Sequence, residues 1–454
     1  MKPRSLFLSF LGTNTYTHCN YSLPGHGKVD GVRFVQEALV RLLCAEFRPP
    51  DRIVVFLTDE ARQKNWFGEG QPGLETCLAR TVKKGTLVQP VVIPEGKSPE
   101  ELWRIFETVF GVIQENDRVL FDITHGFRSL PMLGIVLLNY ARLLKNITIA
   151  GIYYGAFEVL GPLWKVKELP LEKRNAPIFD LSDFATLLAW SSGVQEFVKH
   201  GSPDGIVELL WQEAEPRLKE SRGQDAAGKI WKGVAHNLAK IGGQVAACRG
   251  RELVAGEAVI KLRSYLEQCK ELSALPPPFV PLIKRITNKI EPFRENDAEN
   301  CLRAVAWCLE HDLVQQGLTM LQEGLITLIA ARHGLEWRVE ADRTLISESI
   351  SVKNQKTPEA EWKGEVGRRP DLAHQIQNDP FVAAVAGDFD MLSKARNDIN
   401  HGGFTEAVDA EQLRKKLRKA YEAISAEWTR HRGTGPYAAG PENPTQEQQF
   451  PDHA

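Results

Sequence analysis

A β-favouring run, Val119 to Ile123, ends abruptly in Thr124-His125-Gly126, and after Ser129 and Pro131 an apolar helical stretch runs from Leu133 to Leu144. Strand, tight polar turn and helix start thus follow one another within about a dozen residues. Such a junction gathers unpaired backbone N–H groups and the positive end of a helix dipole, so it suits a phosphate or another anion. Thr124, His125 and Arg128 add side-chain donors at that point. A plainer reading stays open, in which Asp122 caps the turn, Gly126 supplies a positive φ and the imidazole faces water.

The stretches around this junction repeat its grammar. Leu6 to Leu11 reads as a buried first strand closed by Gly12-Thr13-Asn14-Thr15, followed by an aperiodic loop to about Gly31 and a helix from Val32 to Phe47. Strands are expected at Ile53–Leu57, Val91–Ile93, Val119–Ile123 and Ile147–Tyr154, a helix at Pro99–Ile113, and a hairpin or edge strand within Val159–Leu169. Strands alternating with helices predict a Rossmann-like α/β domain with a parallel, doubly wound sheet over residues 1–180. Ligands of such sheets sit at the carboxyl ends of the strands, where Gly12 to Asn14 and Asp122 to Arg128 would lie.

From about Ser182 the pattern turns helical. Residues 181–299 read as an all-α connector, with Trp190, Trp211 and Trp231 as core residues, and residues 300–432 as an all-α C-terminal domain. Within the latter we expect one long helix from Asn300 to Gly334, a polar segment Ser347–Gln377 of loop or short helices, and helices over Phe381–Ile399 and Asp409–Trp428. Residues 433–454, rich in Pro, Gly and Gln, are expected to be a disordered tail.

The totals narrow the function. A chain of 454 residues implies two or three domains, and 43% apolar with 25% charged residues describes a soluble protein. A net charge of −2 argues against a bulk polyanion binder, so any nucleic acid must meet a local site. Seven scattered Cys without a C-x-x-C pair indicate neither a disulfide framework nor a zinc site, and fit a reducing cytoplasm. No apolar run long enough for a membrane span occurs.

A second constellation, Arg396-Asn397-Asp398-Ile399-Asn400-His401-Gly402-Gly403, closes a predicted helix. Metal-free RNA cleavage needs a base for the 2′-hydroxyl, an acid for the 5′-oxygen and a cation for the crowded phosphate. Histidine can move the protons and arginine can hold the phosphate oxygens. Five helical steps separate Arg396 from His401 by about 140°, so they converge only if the helix loosens after Asn397. One imidazole cannot easily stand on both sides of an in-line displacement, whereas two copies across a two-fold axis can. An ordinary helix C-terminus with a His and a Gly cap explains the same residues. The nearby run Arg414 to Lys419 reads as a solvated helix face rather than an RNA track.

Taken together, Asp122-Ile123-Thr124-His125-Gly126 in an N-terminal Rossmann-like sheet and Arg396-Asn397 with His401 in a C-terminal helical domain resemble the CRISPR-associated CARF–HEPN ribonucleases of type III systems, in particular the D-x-T-H-G subfamily. The resemblance covers roughly residues 1–433. It implies a CARF domain that senses a cyclic oligoadenylate, with cyclic tetraadenylate as the expected activator. Gly12, Thr13, Asn14, Asp122, Thr124, His125, Gly126 and Arg128 would line the ligand site. It implies further a HEPN ribonuclease in which Arg396, Asn397 and His401 from two subunits cut single-stranded RNA without metal and leave 2′,3′-cyclic phosphates. A homodimer or higher homo-oligomer in the cytoplasm, with no membrane partner, is expected. The rival is a non-catalytic nucleotide-sensing dimer whose C-terminal helices bind RNA or a partner protein. A dinucleotide enzyme is disfavoured because no G-x-G-x-x-G follows the first strand.

Overall fold

The computed structural model describes residues 3–125, 130–271, 280–404 and 407–433. Gly126, Arg128 and, beyond Gly433, the expected tail lie outside the described residues. The chain divides into two compact units, Met1–Leu188 and Ala189–Ala454.

The first unit is built on eight strands: β1 (Ser5–Leu11), β2 (Cys19–Leu23), β3 (Gly27–Val32), β4 (Arg52–Leu57), β5 (Leu87–Val92), β6 (Arg118–Asp122), β7 (Thr148–Gly155) and β8 (Asn175–Asp180). They form one sheet in the order β3-β2-β8-β7-β6-β1-β4-β5. The central strands read as unbroken apolar runs because both faces are covered, and their side chains alternate between two cores. Phe7, Ile53, Val55 and Leu120 pack with the helix Val35–Leu43 on one face. Leu6, Leu8, Phe10, Val54, Phe56, Val119 and Phe121 point to the other, against Ile105 and Val109 of the helix Pro99–Val112 and Leu137 and Leu138 of the helix Leu130–Lys145.

The sheet is mixed where a parallel one was expected. β1, β4, β5, β6 and β7 are parallel, but β8 runs antiparallel to β7, and β2 pairs with β8 in parallel and with β3 in an antiparallel hairpin. That hairpin occupies the segment read as an aperiodic loop. Gly25 and Gly27 supply positive φ values of 79° and 102° at its turn, and the sequence signal was faint because β3 is largely polar. No strand forms within 159–169, which holds short helices instead; the missing strand is β8, where only Ala176 and Ile178 are buried. β5 begins four residues earlier than expected, through Pro90, which an edge strand tolerates.

The second unit is helical among the described residues. The stripe expected as one helix over 300–334 breaks into Asn300–Glu310 and Val314–Arg332 at Asp312, φ 56°, so that the two pieces pack against each other. The polar segment after Ser347 belongs in part to the helix Glu340–Gln355. The helices Pro380–Asn400 and Ala410–His431 complete this core, closely enough that a Cβ on Gly317 would stand 2.5 Å from a Leu417 methyl. Trp190 and Trp231 are buried as expected, their rings 6.0 Å apart, whereas Trp211 is partly exposed. No helix among the described residues is long and apolar enough to cross a membrane.

One buried ion pair fixes the lower edge of the first unit. Arg4 donates from Nε to Asp117 Oδ1 at 2.9 Å and from Nη2 to Oδ2, with 8% and 1% exposure. It joins the entrances of β1 and β6. Asp117→Ala would leave the guanidinium buried and unpaired, and denaturant unfolding should show a loss of about 3–5 kcal/mol; a loss below 1 kcal/mol would mean that the pair does not tie these strands.

Candidate functional site

After the β2–β3 hairpin at the far edge, the chain lays β4 and β5 on one side of β1 and then returns to place β6 on the other. β1 and β6 therefore flank a topological switch point, the place where open α/β sheets receive ligands. Their register sets Ser9 opposite Asp122, so the two polar strand ends singled out in the sequence meet.

Asp122 is fully buried and organises the turn rather than lining its surface. Its Oδ2 accepts from Ser9 Oγ at 2.7 Å, and its Oδ1 accepts from the Thr124 amide at 2.9 Å and from Thr124 Oγ1 at 2.5 Å. Burial raises the Asp122 carboxyl above its ordinary range against the pull of these donors. Thr124 Oγ1 in turn accepts from the Gly155 amide at 2.8 Å, which fastens the turn to the end of β7.

His125 is packed edge-on against the Tyr16 ring, with centroids 4.7 Å apart. Its Nε2 is shielded from solvent and has no hydrogen-bond partner among the described residues. Burial pushes its pKa down to about 4, so the imidazole is neutral at physiological pH and can offer or accept one hydrogen bond. Tyr16 also rests on Phe34 at 5.0 Å, and its hydroxyl accepts from the Gly12 amide at 3.1 Å. Gly12 and Thr13 are partly buried and Asn14 is exposed. The loop they form is held by a residue that sequence reasoning missed: buried Asn65 donates from Nδ2 to the carbonyls of Gly12 at 2.8 Å and Asn14 at 3.0 Å. Asn65 lies in a π-helical turn, Arg62–Gly68, which no local pattern in the sequence announces.

The second constellation sits at the end of the helix Pro380–Asn400. The helix does not loosen after Asn397. His401 N donates to Asn397 O at 3.0 Å, and Gly402 and Gly403 close the end with φ values of 68° and 63°. Arg396 and His401 consequently keep the wide angular separation of five helical steps, and the backbone rearrangement that would join them within one chain is absent. Asn397 and His401 are exposed. Arg396 is 28% exposed and donates from Nη1 to Glu323 Oε1 at 2.8 Å. Two clefts of about 510 and 370 Å³ in this unit share Glu299 and Trp428, and neither is lined by Arg396 or His401.

Residues 6–158 match the family model described as CRISPR system endoribonuclease Csx1, CARF domain. Over 247 residues, 54% of the chain, the sequence is 26% identical to the CRISPR-associated protein MJ1674 of Methanocaldococcus jannaschii. Residues 6–158 are thus similar to a CRISPR-associated CARF domain. The match spans about a third of that relative's length, 34%. The structure of Enterococcus italicus Csm6 bound to cyclic hexa-2'-fluoro-hexa-dAMP is similar over 94% of this chain and 93% of that one, at 11% identity and a TM-score of 0.39. The CARF match encloses both β1 and β6, and with them the switch-point turn.

Because His125 takes up its proton only near pH 4 in the fold and near 6.5 when unfolded, the unfolded chain binds more protons between these values. The contribution of the neutral imidazole is present above pH 6.5 and is lost as pH falls towards 4, up to about 3 kcal/mol at full effect. Melting temperature measured from pH 7.5 to 4.5 should fall more steeply in the wild type than in His125→Gln. Parallel profiles would place the imidazole in solvent.

Proposed function

We propose that this protein is a cyclic-oligoadenylate-activated, metal-independent endoribonuclease acting on single-stranded RNA in type III CRISPR antiviral defence. The observation that carries this reading is the CARF match laid over a switch-point turn where a shielded imidazole lacks a partner among the described residues. A ring of adenylates brings anionic phosphates and hydrogen-bonding bases, and the turn offers both kinds of receptor. Gly12, Thr13, Asn14, Thr124, His125, Gly126 and Arg128 are the ligand-facing residues in this reading, with Asp122 behind them holding the turn.

The ribonuclease belongs to residues 300–432, read as a HEPN domain behind a helical connector over 181–299. Arg396 would bind the scissile phosphate, Asn397 would support it, and His401 would exchange protons with the 2′-hydroxyl and the leaving 5′-oxygen, giving a 2′,3′-cyclic phosphate. The geometry of the helix end favours a site shared by two chains, since within one chain the guanidinium and the imidazole stay apart. A dimer also has a surface to form on. Met132, Val136, Tyr140, Leu143 and Leu144 make an exposed apolar stripe along the helix Leu130–Lys145, with exposures of 74, 59, 43, 81 and 53%. That helix follows the ligand turn directly, so pairing it with its copy brings two turns near one axis.

Arg396→Ala and His401→Ala should each abolish cleavage of a fluorescent single-stranded RNA while leaving cyclic tetraadenylate binding intact, and EDTA should leave the wild type unaffected. Full cleavage by both variants would remove the nuclease assignment and leave a non-catalytic sensor. His125→Ala or Arg128→Ala should shift activation to higher ligand concentration; unchanged titrations with rings of three to six adenylates would place the ligand elsewhere. Leu143→Glu should yield monomers in sedimentation and lose cleavage, and a dimeric, active Leu143→Glu would exclude this stripe as the interface.

A further inference from the structure

Arg396 is not left free at its helix end. Glu323, 73 positions away on the helix Val314–Arg332, accepts from Arg396 Nη1 through Oε1 at 2.8 Å. The other oxygen, Oε2, accepts from Arg343 Nη2 at 2.8 Å. Arg343, on the helix Glu340–Gln355, is itself pinned: Nη2 reaches the Glu323 carbonyl at 2.9 Å, and Nη1 reaches Thr327 Oγ1 at 3.0 Å and the Trp337 carbonyl at 3.1 Å. One carboxylate is thus held on one side by a guanidinium that makes four hydrogen bonds through Nη1 and Nη2, and presents its other oxygen to Arg396. Arg396 is less complete. Its Nε is shielded from solvent and has no partner among the described residues.

We propose that Glu323 is a positioning residue for Arg396, with Arg343 as the clamp that fixes Glu323, so that the phosphate-binding guanidinium of the ribonuclease is set before RNA arrives. The inference rests on the ribonuclease reading of Arg396. Two physical arguments support it. A long arginine side chain loses substantial rotamer freedom on binding, and a partner that fixes it beforehand removes that cost from the reaction step. A single glutamate beside Arg396 would cancel the charge that the phosphate needs. With Arg343 on the same carboxylate, the three groups keep a net charge of one positive unit, and the guanidinium stays attractive to RNA.

The test compares wild type, Glu323→Gln, Glu323→Asp and Arg396→Ala in single-stranded RNA cleavage with cyclic tetraadenylate at saturation, alongside melting temperature and ligand binding. Glu323→Gln keeps the shape but sets an amide against two guanidinium donors. It should lower kcat by about 10-fold or more with KM within about twofold, and leave ligand binding unchanged. Glu323→Asp, which keeps the charge with a shorter reach, should recover part of that loss. A Glu323→Gln that folds and retains or exceeds wild-type kcat, or changes KM alone, overturns the proposal. Where Glu323→Gln melts well below wild type, Glu323→Asp decides: reduced kcat in a protein of normal melting temperature supports the inference, and wild-type kcat overturns it. A wild type that cleaves while Arg396→Ala does not, with Glu323 variants unaffected, removes only the positioning role. A wild type that cleaves no RNA removes the ribonuclease reading and this inference with it.

Discussion

The first unit depends on a carboxylate taken out of water. Asp122 sits at the carboxyl end of β6 with no exposure, and three donors from Ser9 and Thr124 offset part of the desolvation of its charge. Ser9 belongs to β1, Thr124 to the turn, and Thr124 reaches on to Gly155 at the end of β7. Three neighbouring strand ends are therefore tied to one residue, and the turn bearing His125 inherits its position from that knot. The side chains that can meet a ligand, His125 and the Gly12 to Asn14 loop, stand one layer outside it.

The same device recurs in the second unit. Asp379 caps the helix Pro380–Asn400 by accepting from the Phe381 amide at 2.8 Å, and its other oxygen takes Arg332 Nε at 2.7 Å. Arg332 also donates from Nη1 to the His431 carbonyl at 2.6 Å. A start and two ends of helices are drawn together at a point with almost no solvent access, Arg332 and Asp379 being 4% and 3% exposed. Burial alone would raise the Asp379 carboxyl, but His333, Arg332 and the helix amide outweigh it and hold it below the carboxylate range. Such a knot orients the whole helix that ends in Arg396 and His401, and Glu323 orients one side chain near its far end.

How much of this was legible in the sequence depends on the distance over which each feature is encoded. The apolar central strands and the switch-point turn could be read because a strand buried on both faces writes itself as a continuous run, and because Asp122, Thr124 and His125 lie within four residues. The β2–β3 hairpin could not, since its outer strand buries only Val29 and Val32 and is otherwise held by pairing with β2. The break at Asp312 escaped because an uninterrupted apolar stripe is compatible with one helix or with two that fold back. Asn65 and Glu323 were invisible for a stronger reason: their partners, Gly12 and Arg396, are 53 and 73 residues away, and nothing local distinguishes them from surface polar residues.

The regularity of the helix end bears on the number of chains a reaction needs. Had the backbone opened after Asn397, one chain could have gathered a cation and a proton donor, and a monomeric ribonuclease would have been the simpler account. The hydrogen bonds from His401 to Asn397 and from Gly403 to Asp398 keep the turn closed instead. In-line displacement needs groups on opposite sides of phosphorus, and a single exposed imidazole could supply only one of them. In the proposed ribonuclease a second copy would supply the other without any change in the chain, so that the symmetry of an oligomer would do the work of a local distortion.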